Sequence, residues 1–172
     1  DGEIQARGPN VMLGYYKDPE RSAEVMTKDG WFRTGDLGHF DKKGRLFIRG
    51  RHKTMILSPA GENIYPEEIE SMLNAHELVA ESLVYGDGRG LSALVILKPE
   101  VLERFEAAVQ DSIDDAGELV ENIRREINSR LSGFSKVSKI HLQETPFEKT
   151  PSQKIKRFLY PSSGDKGKKT TP

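Results

Sequence analysis

The chain has 172 residues, 35% hydrophobic and 31% charged, with 26 Lys and Arg against 27 Asp and Glu and a formal net charge of −1. That length is enough for a real core and allows one domain or a little more, while so even a balance gives no global attraction to nucleic acid or an acidic membrane surface. The lack of cysteine excludes a disulfide, a thiolate nucleophile and a Cys-ligated metal, and no apolar run approaches the ~20 residues needed to span a bilayer.

The chain starts at Asp1 rather than Met, and "GEIQARG" already alternates like a strand, so a piece of a longer protein is expected. "DPERSAEVM" (18–26) has a helix start, with Asp18 as cap and Pro19 in the first turn. "WFRTGDLGHFD" and "GRLFIRGR" read as strands joined by "DKKG", a hairpin signal ending in Gly44. "MIL" (55–57) is a short apolar run, followed by the turn chemistry of "SPAGEN". "PEEIESMLNA" (66–75) places Ile69, Met72 and Leu73 on one helical face. "LVAESLVYG" and "LSALVILK" are two strands split by "DGRG". Residues 99–131 read as two amphipathic helices, one lined by Val101, Leu102, Phe105 and Val109, the other by Leu119, Ile123, Ile127 and Leu131. "SKIHLQET" is a further strand, and "SSGDKGKKTTP" a polar tail, expected to be disordered over 161–172.

The order α, β, β, α, α, β from residue 66 predicts an α+β fold: a small mixed sheet flanked by helices, preceded by β-rich material over residues 1–50. The composition shift near Gly50 and Arg51 sets the expected boundary, giving a second domain over 51–160.

Several familiar chemistries have no candidate. The tail's "GDKGKKT" lacks Walker spacing, a preceding strand and a following helix. Histidines 39, 52, 76 and 141 are scattered, so no metal site is expected. No serine sits in a nucleophile elbow.

Three stretches are more specific. In "WFRTGDLG" (31–38), Gly35 and Gly38 bracket Asp36 in an otherwise apolar run. A carboxylate there wants donors, either backbone N–H groups of a turn or the hydroxyls of a ligand. "GRHKTMILSPAGENIYPEEIE" (50–70) sets Arg51 and Lys53 at the expected boundary, a rigid fork of donors and a mobile point charge. "ETPFEKTPSQKIKR" (144–157) places Lys149, Lys154, Lys156 and Arg157 beside Pro146 and Pro151, which argue for a positioned loop rather than a helix.

In this order, "GYYKDPERSAEVMTKDGWFRTGDLG", "GRHKTMILSPAGENIYPEEIE" and "TPSQKIKR" resemble the late motifs of the adenylate-forming superfamily, which includes acyl-CoA synthetases, luciferases and peptide-synthetase adenylation domains. The resemblance covers roughly residues 2–160 and is nearest to bacterial long-chain fatty acid CoA ligases. It implies that an acid attacks the α-phosphate of ATP to give an acyl-adenylate and pyrophosphate, and that coenzyme A then displaces AMP. Carried over residue by residue, it implies Asp36 as ligand of the ribose hydroxyls and Arg51 as a contact to ribose or phosphate. Lys53 takes the hinge position of a rotating C-terminal domain, Gly61 faces the site in the thioester step, and Lys154 meets the acid and α-phosphate. The basic neighbours of Lys154 are expected to help it meet a polyphosphate.

The cofactors so implied are ATP or AMP, coenzyme A and Mg²⁺, with no Mg²⁺ ligand in this chain. The partners implied are the fatty acid and the enzyme's own N-terminal domain, with no nucleic acid and no transmembrane segment. Peripheral membrane association is left open, and the expected location is the cytoplasm. Two departures stand out: the usual glycine before the catalytic lysine is Gln153, and the family's phosphate loop and acyl pocket are absent from this chain, which alone is expected to be inactive. The alternatives are an adenylation domain or acyl-carrier-protein ligase, a basic-loop binding module without catalysis, and a regulatory domain that keeps the fold.

Overall fold

In a computed structural model, residues 2–107 and 112–160 are described, and they divide into two compact units, the first ending at Met55 and the second starting at Ile56. In the first unit, β1 (Gly2–Ala6), β2 (Phe32–Phe40) and β3 (Leu46–Arg51) form an antiparallel sheet in that order. Helix α1 (Pro19–Val25) starts where Asp18 accepts a hydrogen bond from the Arg21 amide at 3.0 Å and Pro19 needs no donor of its own. The β2–β3 turn is built by Asp41, whose Oδ1 accepts the amides of Lys43 and Arg45 at 2.9 Å each. Those bonds hold its carboxyl below its ordinary pKa.

The second unit opens with a short hairpin, β4 (Ile56–Leu57) and β5 (Asn63–Ile64), around the "SPAGEN" turn. Then come α2 (Pro66–Asn74), β6 (Val79–Gly86), β7 (Leu91–Leu97), α3 (Pro99–Ala107), α4 (Ser112–Arg130) and β8 (Val137–Leu142). The predicted order α, β, β, α, α, β is the observed one. β6 and β7 pair antiparallel through the tight Asp87–Gly90 turn, whereas β8 returns parallel to β7 after the two helices, which makes the sheet mixed.

The core lies on this sheet. Val79, Val84, Leu91, Ala93, Val95 and Leu97 pack with Ile69 and Leu73 of α2 and with Ile123 and Ile127 of α4, all nearly inaccessible. The helical periodicity therefore names the buried faces of α2 and α4 correctly, with Met72, Leu119 and Leu131 at their margins. In α3, Val101 is buried but Leu102, read as part of the same face, is 40% exposed; one residue is a 100° step around a helix. The Phe105 side chain, Val109 and the tail from residue 161 lie outside the described residues. Asn128 ties α4 to β8, its amide donating to the Val137 carbonyl at 2.9 Å and its oxygen accepting the Val137 N–H at 2.8 Å. Among the described residues no helix is long and apolar enough to cross a membrane.

Candidate functional site

Asp36 and Arg51 are brought together. They are register partners across β2 and β3, and Arg51 Nε lies 2.8 Å from Asp36 Oδ1. The donor for Asp36 is thus a side chain on the neighbouring strand, neither of the two kinds expected from the sequence. Both groups remain open to solvent, with side-chain exposures of 54% for Arg51 and 29% for Asp36. Local backbone sets this up. Gly35 takes φ +74° and its carbonyl receives the His52 amide at 2.9 Å, while the Asp36 amide donates to Thr34 Oγ1 at 3.1 Å. Gly38 is required by close approach, since a Cβ there would sit 2.5 Å from the Phe47 carbonyl oxygen. Arg51, His52 and Lys53 share a cleft of about 390 Å³ with Glu3, Tyr15 and Arg21. Lys53 is exposed, just past β3.

Gly61 sits in the β4–β5 turn at φ +81°, with its amide donating to the Ser58 carbonyl at 2.9 Å and the Ser58 amide donating to the Glu62 carbonyl at 2.9 Å. This is the pattern of a three-residue hairpin loop whose last position is left-handed. A cleft of about 360 Å³ adjoins the turn, with Ser58, Pro59, Arg89, Phe134 and Lys136 on its walls. Sequence reading missed the last three, which come from the β6–β7 turn and the segment before β8. Only topology makes them neighbours.

Lys154 stands at the end of a second loop of the same pattern. Lys149 and Ile155 pair as an antiparallel bridge, the Thr150 amide donates to the Lys154 carbonyl at 2.8 Å, and the Gln153 amide donates to the Thr150 carbonyl at 2.9 Å. Pro151 occupies the second position of that turn, where its fixed φ fits. Gln153, standing in for the expected glycine, is held at φ +62°.

The four cations of this segment separate sharply. Lys149 Nζ is paired with Glu81 Oε1, Lys156 Nζ lies 3.1 Å from Glu148 Oε2, and Arg157 Nη2 is paired with Glu70 Oε2 and lies 3.9 Å from Glu67 Oε1. Lys154 alone of the four makes no ion pair among the described residues, and it is exposed. The neighbours expected to help meet a polyphosphate are therefore committed to internal carboxylates. The Lys156–Glu148 pair lies at the surface, with side-chain exposures of 33% and 64%, whereas Glu70 beneath Arg157 is buried.

Beneath the loop, Glu70 is 8% exposed, and burial raises its pKa, opposed by the Arg157 guanidinium and by the Val84 amide that donates to Oε1 at 2.7 Å. Arg157 also donates from Nη1 to the Val84 carbonyl at 3.5 Å. Among the described residues no group of three or more His, Asp or Glu is placed to hold a metal ion.

Residues 53–160 match the family described as AMP-binding enzyme C-terminal domain, and the chain belongs to that family. Over 91% of its length it is 34% identical to a long-chain-fatty-acid–CoA ligase (FadD15) of Mycobacterium tuberculosis, covering 29% of that protein. Over 49% of its length it is 56% identical to an indoleacetate–CoA ligase of Aromatoleum aromaticum, covering 16% of it. Among solved structures, the adenylation domain of a carboxylate reductase from Mycobacterium chelonae is 26% identical, with a TM-score of 0.82 over 92% of this chain and 25% of that one. The chain thus spans under a third of the length of these relatives.

Proposed function

We propose that this chain is the C-terminal part of an ATP-dependent acyl-CoA ligase, which joins a fatty acid, in the long-chain class, to coenzyme A by way of an acyl-adenylate, releasing pyrophosphate and then AMP. The observation that carries the reading is that Lys154, at the end of the hairpin loop, makes no ion pair among the described residues while Lys149, Lys156 and Arg157 each pair with a carboxylate. Attack at the α-phosphate gathers negative charge on the phosphoryl oxygens, and a positioned ammonium in a water-poor site lowers that barrier. In this reading residues 51–160 form a mobile domain that turns about Lys53. It presents Lys154 for adenylation and Gly61 for thioester formation, while Asp36 and Arg51 hold the ribose and phosphate of the nucleotide. Arg89, Lys136 and Phe134 beside the Gly61 turn supply charge and a ring face suited to a thiol substrate that carries phosphates and a base. Mg²⁺ accompanies ATP with ligands outside this chain, and the enzyme works in the cytoplasm.

The test is Lys154→Ala in the full-length enzyme. Acid-dependent exchange of pyrophosphate into ATP should fall by ~10²–10³, while thioester formation from supplied acyl-adenylate persists. Unchanged exchange would overturn the reading. Product analysis with coenzyme A and with a carrier-protein thiol separates the two acceptors.

A further inference from the structure

We infer that Glu70 and Arg157 act together as a positioning clamp that sets the place of Lys154 during adenylation, an inference that rests on the role given to Lys154 above. The hairpin that carries Lys154 is tied down on both legs. On the incoming leg, Lys149 is paired with Glu81 of β6. On the outgoing leg, the guanidinium of Arg157 holds Glu70 of α2 with one arm and the Val84 carbonyl of β6 with the other. The second Glu70 oxygen receives the Val84 amide. One carboxylate therefore joins a helix, a strand and the hairpin.

Between clamp and tip the chain is stiff and short. The Lys149–Ile155 bridge and the Lys156 amide to Glu148 carbonyl bond at 2.8 Å close the hairpin. Three residues of extended chain span roughly 10 Å at most, so a displacement at Arg157 is passed to Lys154 with little slack. The arrangement is also expensive. Replacing a buried ion pair by apolar residues of similar volume is often neutral or stabilising, so stability by itself gives little reason for Glu70 and Arg157, and their fixed geometry is the property the inference uses. A guanidinium fork fixes direction as well as distance, as an ammonium does not.

The experiment compares Glu70→Gln, Arg157→Ala, Arg157→Lys and Lys154→Ala in the full-length enzyme. Each is assayed for acid-dependent pyrophosphate exchange and for thioester formation from supplied acyl-adenylate, below its own melting temperature. Loss of the clamp should lower kcat of exchange by roughly 10–100-fold, the range for a reacting group held about 1 Å out of place, with KM for ATP little changed and the thioester step spared. Arg157→Lys, which reaches Glu70 but not the Val84 carbonyl as well, should recover part of the loss. In a Lys154→Ala background, Arg157→Ala should have no further effect on exchange, because the group it places is gone.

Equal falls in both half-reactions that follow the melting temperature would reduce the pair to a stability element and overturn the clamp. So would additive losses in the double variant. If Arg157→Ala does not fold, Glu70→Gln decides, since its amide oxygen still accepts the Val84 N–H. If Lys154→Ala abolishes exchange while the clamp variants keep it, the clamp alone falls. If Lys154→Ala leaves exchange intact, the reading of the hairpin falls with it.

Discussion

The loops Ser58–Glu62 and Thr150–Lys154 solve the same backbone problem with different side chains. Each opens with a hydroxyl residue followed by proline, and each closes with two main-chain bonds, the first residue's amide donating to the fifth's carbonyl and the fourth's amide to the first's carbonyl. In each the opening hydroxyl accepts the amide of the fifth residue, Ser58 Oγ from Glu62 at 3.0 Å and Thr150 Oγ1 from Lys154 at 3.2 Å. They part at the fourth and fifth positions: Gly61 and Glu62 in one, Gln153 and Lys154 in the other. A third loop, Asp41–Arg45, follows the same main-chain pattern with Gly44 at φ +76°. Left-handed backbone is thus required by loop geometry, and Gln153 meets it against its own preference. What distinguishes the Lys154 loop is the charge at its end and the buried carboxylate beneath it.

Exchanging the distinguishing residues breaks the comparison in graded steps. Giving the second loop an acid at its fifth position, Lys154→Glu, should reduce pyrophosphate exchange in the full-length enzyme by ~10²–10³ or more, since an anion then faces the phosphate. Giving the first loop the other's fourth residue, Gly61→Gln, should cost about 1–2 kcal/mol in thermal or denaturant unfolding. A Cβ at Gly61 meets nothing within 4 Å, so the whole cost is backbone strain. The converse change, Gln153→Gly, should stabilise by about 0.5–1 kcal/mol, because relief of strain is partly offset by the greater freedom of glycine in the unfolded chain.

The carboxylate beneath the second loop adds a pH test. Folding raises the pKa of Glu70, so the folded state binds that proton more tightly than the unfolded state does. The stability of the wild-type protein relative to Glu70→Gln should therefore be greatest below pH 4.5, the ordinary value for Glu, and should be lost as pH rises through the raised value. Thermal melts of the two proteins from about pH 4 to pH 8 read this directly. A flat difference would mean that Arg157 fully offsets the burial of Glu70.

Much of this was legible beforehand because it depends on near neighbours. Ile69 and Leu73, or Ile123 and Ile127, are spaced for one face of a helix, and the structure buries them. Pro151 and the residues around it mark a positioned loop, and such a loop is found. Besides the placing of Leu102 on the buried face of α3, the errors concern charge. The basic run at 149–157 reads as a cooperative patch, yet its members bond to carboxylates up to 87 residues away in sequence. Asp36 reads as seeking a turn amide or a ligand, yet its partner is Arg51, brought opposite by the strand register.

Periodicity, proline placement and turn residues act over a few positions, so the primary structure alone determined the order of the main helices and strands, while the quoted motifs carried the resemblance to the family. Which cation stays free was decided by the tertiary structure, because an ion pair is a matter of distance in space. Glu70, Glu81 and Glu148 reach Arg157, Lys149 and Lys156 once sheet, helix and hairpin are folded together, and Lys154 at the end of the loop is left without an ion pair among the described residues.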